Sequence, residues 1–94
     1  LLTRWRMEDQ KRTLFVGGLH EDVDEAFLAA AFSPFGDIKN VQIPKDNESG
    51  KHKGFGFVVF SDAEDAADAI DNLHNAELHG IYFWARYSRV LTMD

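Results

Sequence analysis

The chemistry of this chain is concentrated in aromatic rings. The stretch KGFGFVVF, residues 53–60, puts Phe55, Phe57 and Val59 on one side of an extended backbone and Val58 and Phe60 on the other, with Gly54 and Gly56 between them. A strand at the surface of a small domain ordinarily shows a polar face, and this one has none. Two helices can cover a single face of a sheet, so one of these apolar sets must meet water or a ligand. The residue types that catalyse are not arranged to do so. His20, His52, His74 and His79 fall in expected loops and turns, without metal-ligand spacing or a nucleophile partner. SGK at 49–51 is not a phosphate-binding loop, because Lys45 stands where its first glycine belongs and His52 replaces Ser or Thr. GFG at 54–56 fails the dinucleotide fingerprint at Val59, and DNESG at 46–50 lacks the closing acid of a calcium loop. The reading is therefore no enzyme, no metal site and no cofactor.

The elements that must position the rings are bounded by size and composition. Ninety-four residues, 45% of them hydrophobic, suffice for one packed core. Absence of cysteine excludes a disulfide framework and a thiolate metal site, as expected of an intracellular protein. No run of eighteen apolar residues exists, and LLTRWRM at 1–7 is too short and polar for a secretory signal, so no membrane is expected. Asn47-Glu48-Ser49 reads as a plain polar loop.

A net charge of −6 hides a polarity between faces. Glu21, Asp22, Asp24, Glu25, Asp62, Glu64, Asp65, Asp68, Asp71 and Glu77 all lie in or beside the two expected helices, and no Lys or Arg occurs between Lys53 and Arg86. Lys11, Arg12, Lys39, Lys45, Lys51, Lys53, Arg86 and Arg89 lie near the expected strands.

The element order follows from periodicity. TLFVGGL at 13–19 is a β-rich run stopped by two glycines. Asp24 can cap a helix with Leu28, Ala31, Phe32 and Phe35 on one face, Pro34 in its last turn and Gly36 as its stop. IKNVQI at 38–43 is a second strand, 44–52 a polar loop and KGFGFVVF the third strand. Ser61 with Glu64 predicts a capping box before a helix carrying Ala66, Ala69, Ile70 and Leu73. IYFWARY at 81–87 alternates as the final strand after a turn at Gly80. Residues 12–89 form the expected domain, with 1–11 a flexible leading segment and 90–94 a tail.

The order βαββαβ predicts an α+β, ferredoxin-like fold, a four-stranded antiparallel sheet with both helices on one face. Val58, Phe60, Leu14 and Val16 suit the helix side. Phe15, Phe55, Phe57 and Val59 then share the open face, joined by Tyr82, Trp84 and Arg86 if Phe83, Ala85 and Tyr87 face the helices.

At these residues the chain resembles the RNA recognition motif family. KGFGFVVF satisfies every specified position of the family's longer motif, K/R-G-F/Y-G/A-F-V-x-F/Y, a match expected by chance roughly once in 10⁸ windows. LFVGGL at 14–19 resembles the shorter motif, departing at Gly18 where Asn is frequent. Within the family, the runs VGGL, AAFSPFGDI, VQIPKD and EDAADAIDNL are most similar to the RNA-binding module of nuclear cyclophilins. That similarity implies a prolyl isomerase domain elsewhere in a longer protein, and work in the nucleus beside splicing machinery.

The family resemblance implies that Phe15 and Phe57 stack under successive bases, Phe55 inserts between sugars and Lys53 meets a phosphate. Aromatic faces do serve single-stranded bases as platforms, worth about 1–3 kcal/mol per base. Asn40, Gln42 and Arg86 could read base edges from the same face, and Trp84 could extend the stack. The expected partner is single-stranded RNA, bound by a monomer in nuclear mRNA processing. The alternative is a protein partner docked on the acidic helical face or on the sheet. With Phe15, Phe55 and Phe57 facing out, changing each to Ala is expected to weaken binding and barely alter stability.

Overall fold

The structure, a computed structural model, describes residues 11–73, 76–78 and 81–87. The expected leading segment and tail therefore lie almost wholly outside the described residues, as do His74, His79 and Arg89. Among the described residues five strands and two α-helices follow in the order β1 (Thr13–Gly17), α1 (Glu25–Phe32), β2 (Ile38–Gln42), β3 (Phe55–Phe60), α2 (Ala63–Leu73), β4 (Ala76–Leu78) and β5 (Ile81–Tyr87), with a short 3-10 turn at Ser33–Phe35 after α1. The expected four strands are β1, β2, β3 and β5. The addition is β4, which pairs with β5 through Ala76↔Phe83, Glu77↔Tyr82 and Leu78↔Ile81. Three residues are too few to carry a legible period, and only this cross-strand pairing reveals them.

The strands lie in the order β2-β3-β1-β5-β4, and each described pair is antiparallel. Since β1 and β2 both run against β3, the chain crosses over β3 through α1, and the connection through α2 crosses over β1 in the same way. This interleaving is the split βαβ arrangement, and it puts β1 and β3 at the centre of the sheet.

Local chemistry sets the helix starts. Asp24 caps α1, its carboxylate accepting the Phe27 N–H at 2.8 Å. The start of α2 departs from the expected Ser61–Glu64 box. Asp62 directly precedes the helix and its carbonyl accepts the Ala66 N–H at 3.3 Å, while the Ser61 N–H donates to the Asp37 carbonyl at 2.9 Å. Ser61 thus ties the strand-to-helix turn to the approach of β2.

The helices seal one sheet face. Leu14, Val16, Val58, Phe60 and Ala85 from the strands meet Leu28, Phe32, Ala66 and Ala69 from the helices, all fully buried, with Phe35, Ile70 and Leu73 packed at the margin. Gly56 permits the close approach of β2. A Cβ there would lie 2.9 Å from the Gln42 carbonyl oxygen and 3.0 Å from the Ile43 side chain. Among the described residues no helix is long and apolar enough to cross a membrane.

Candidate nucleic-acid interface

Register assembles the site. Central β1 pairs Phe15 with Phe57 and Gly17 with Phe55 on β3, and on its other side pairs Phe15 with Arg86 and Gly17 with Trp84 on β5. Because alternate residues share a face, these six positions lie together on the side away from the helices. On β2, Asn40 pairs with Val59 and Gln42 with Phe57, which adds both polar side chains to the same face. A bulge between Ile38 and Asn40 makes this possible. Without it Ile38 would share the open face with Asn40, whereas it pairs with Phe60 and packs against the core.

Phe15 is the hub of the aromatic cluster. Its ring centroid lies 5.5 Å from Phe55, 5.4 Å from Phe57 and 5.4 Å from Trp84, all in tilted contacts. Phe55 and Phe57 meet edge to face at 6.0 Å. The Arg86 guanidinium carbon stands 5.4 Å from the Phe15 centroid and 5.0 Å from that of Trp84, within the range of cation–π attraction. Four rings and one cation thus make a continuous patch, and among the described residues no helix lies over it. Flat π-faces beside a fixed positive charge suit planar, anionic polymers, which is the recognition chemistry of single-stranded nucleic acid.

The family model described as the RNA recognition motif matches residues 14–81. The chain belongs to that family. Over 69 residues it is 48% identical to the putative RNA-binding protein RbpA of Synechocystis, the match covering 72% of this chain and 67% of that protein. It is 45% identical over 67 residues to probable RNA-binding protein 23 of Homo sapiens, where the match covers 71% of this chain and only 15% of the human protein. The chain therefore spans a minor part of some of its relatives. Among solved structures, the Sxl-lethal protein/RNA complex superposes with a TM-score of 0.78 at 27% identity, covering 86% of this chain and 48% of that one.

Within this RNA recognition motif, the expected residues differ in how they are presented. Phe15, Phe55 and Trp84 are half-buried and Arg86 is exposed, as a platform requires. Phe57 differs. It lies on the open face by register but retains only 8% of its surface, although it stands apart from the helix-side core. The ring touches those of Phe15 and Phe55, and Gln42 is its partner on β2, so its packing cannot be ignored in any substitution. Tyr87 departs in the other direction. It pairs with Leu14 in the helix-side register, yet it is 43% exposed at the end of β5. The side chains of Tyr82 and Phe83 lie outside the described residues.

Lys53 is exposed two residues before β3, and its N–H donates to the Pro44 carbonyl at 3.3 Å. Lys51 stands 3.9 Å from Glu21 at the surface. Behind this rim is a residue that sequence reasoning assigned to the plain surface. His52 Nδ1 accepts the Gly54 N–H at 2.9 Å, so its Nε2–H donates to the His20 carbonyl at 2.8 Å. The Leu19 N–H reaches the Gly54 carbonyl at 3.0 Å, and Gly54 takes φ +92°, a conformation that glycine adopts without steric cost. Together these bonds clasp the β1–α1 loop to the foot of β3. The available signal was slight, a histidine two residues before a glycine. No group of three or more His, Asp or Glu among the described residues could hold a metal ion.

Proposed function

We propose that this chain is a single-stranded RNA-binding module whose bases stack on the open face of the sheet. The observation that carries the reading is the Phe15 hub, with three further rings and a guanidinium gathered on the face that the helices leave uncovered. Relatives named as RNA-binding proteins and a neighbour solved as a protein/RNA complex support it. In this reading Phe15 and Phe57 take two successive bases, Phe55 contacts sugars and Lys53 a phosphate. Asn40 and Gln42 address base edges from β2, while Trp84 with Arg86 offers a further stacking position.

Two finer statements belong to the same proposal. The runs VGGL, AAFSPFGDI, VQIPKD and EDAADAIDNL are similar to the N-terminal module of nuclear cyclophilin E, and on that likeness the chain serves nuclear pre-mRNA processing as part of a longer protein. Locating the endogenous protein by microscopy tests this setting, and an exclusively non-nuclear signal removes it.

The binding reading is tested by fluorescence anisotropy with short labelled single-stranded RNAs. Phe15→Ala should cost about 1–3 kcal/mol of binding, the worth of one stacked base. Unchanged affinity in a folded Phe15→Ala variant would reject the sheet face as the binding surface. A protein partner on the acidic helices would then become the better reading.

A further inference from the structure

Trp84 reaches the platform across position 17, and the space it uses exists because that position carries no side chain. Gly17 pairs with Trp84 across β1 and β5, and a Cβ built on Gly17 overlaps the benzene ring of the indole at three of its atoms. Gly17 is not among the glycines with positive φ. Its backbone would therefore accept alanine, so the requirement for glycine here comes from the space the indole occupies. Seated on the strand, the indole meets Phe15 at 5.4 Å, and the two rings together hold the Arg86 guanidinium at 5.0 and 5.4 Å.

We propose that Gly17 is a positioning residue for RNA binding. By leaving its own place empty it seats Trp84, and through Trp84 it fixes Arg86 as a cation at the junction of two rings. This rests on the reading of the sheet face as the RNA-binding surface. Gly17 need not touch RNA for the device to work. Adding a methyl group lifts the indole from the strand, separates it from Phe15 and frees the guanidinium to rotate into solvent. The stacking position on β5 is then lost, while the Phe15–Phe55–Phe57 cluster stays in place. The clash involves the far ring of a rotatable side chain, so the indole moves and the strand pairing persists.

The test is a double-substitution cycle with Gly17→Ala and Trp84→Ala, read as affinity for a short degenerate single-stranded RNA. Each single variant should weaken binding by about 5- to 150-fold, the range of one lost stacking contact. The double variant should bind no more weakly than Trp84→Ala alone, because Gly17 acts only through the indole. A general structural role would not produce that equality. In a Trp5→Phe background, Gly17→Ala should also shift the Trp84 emission of the free protein.

Wild-type affinity in Gly17→Ala, or a double variant weakened by the product of the two single effects, would overturn the proposal. Should Gly17→Ala alone fail to fold, the double variant should fold and bind like Trp84→Ala, since the overlap is gone. A double variant that also fails to fold would place the requirement in the backbone and overturn the proposal. Phe15→Ala separates the two levels of inference. If it too leaves affinity unchanged, the sheet-face reading has failed; if it weakens binding while the Gly17–Trp84 cycle is additive, only the role of Gly17 has failed.

Discussion

Replacing Phe57 with Ala should destabilise the domain as well as weaken RNA binding, because the ring is enclosed on its own face of the sheet. At 8% exposure it is nearly as buried as the helix-side core, and burying a phenylalanine side chain contributes about 1.5–3 kcal/mol. Its ring contacts with Phe15 at 5.4 Å and Phe55 at 6.0 Å each add about 0.5–1.5 kcal/mol beyond burial. Phe→Ala in a closed core costs about 3–5 kcal/mol. Here the vacated space borders an open face, where neighbouring rings and water can partly refill it, so about 2–4 kcal/mol is expected. Urea denaturation should show that loss as a lower midpoint at unchanged slope. A fall in Tm of about 10–25 °C should accompany it in a domain of this size. A loss below about 1 kcal/mol would show that the ring adds no packing energy. Phe57→Leu keeps most of the volume, so in that variant weaker RNA binding reports lost stacking with far less lost packing.

Three further outcomes follow from the same geometry. Log affinity for RNA against log salt should have a slope near −2, as expected for about three phosphates on a single strand; a slope steeper than about −5 would mean many more phosphate contacts than the cations near this face provide. Gly56→Ala should cost about 1–3 kcal/mol in urea denaturation, since the Gln42 backbone at 2.9 Å cannot yield as a side chain would, and a neutral effect would mean that β2 is loosely held. His52→Ala should accelerate hydrogen exchange at the Gly54 amide while leaving the α1 amides protected, and equal exchange in both proteins would show that the clasp carries no local stability.

How much of this was legible in the sequence depends on the range of the force involved. Alternation and helical period are local, and from them Leu14, Val16, Val58 and Phe60 were placed in the core and Phe15, Phe55, Trp84 and Arg86 on the open face, all where the structure has them. The Asp24 cap is equally local, three residues from its donor. What period cannot report is the neighbour across the sheet. Phe57 meets the Phe15 ring from β1 and pairs with Gln42 on β2, and the facing of Asn40 depends on a bulge whose only trace is pairing register. Strand β4 is too short to show a period. The space at Gly17 belongs to an indole 67 positions away, and His52 looked inert because its two partners lie in different loops. The Ser61 box had the right residues, but the Ser61 backbone was committed to Asp37, a contact no local pattern encodes.

The central claim, that RNA lies across the open face of the sheet, is tested most directly by following backbone amides by NMR while short single-stranded RNA is added. The largest shifts should fall on β1 and β3, around Phe15, Phe55 and Phe57, and on β5 at Trp84 and Arg86, with α1 and α2 nearly unmoved. Shifts confined to the helices, or none at saturating RNA, would contradict it.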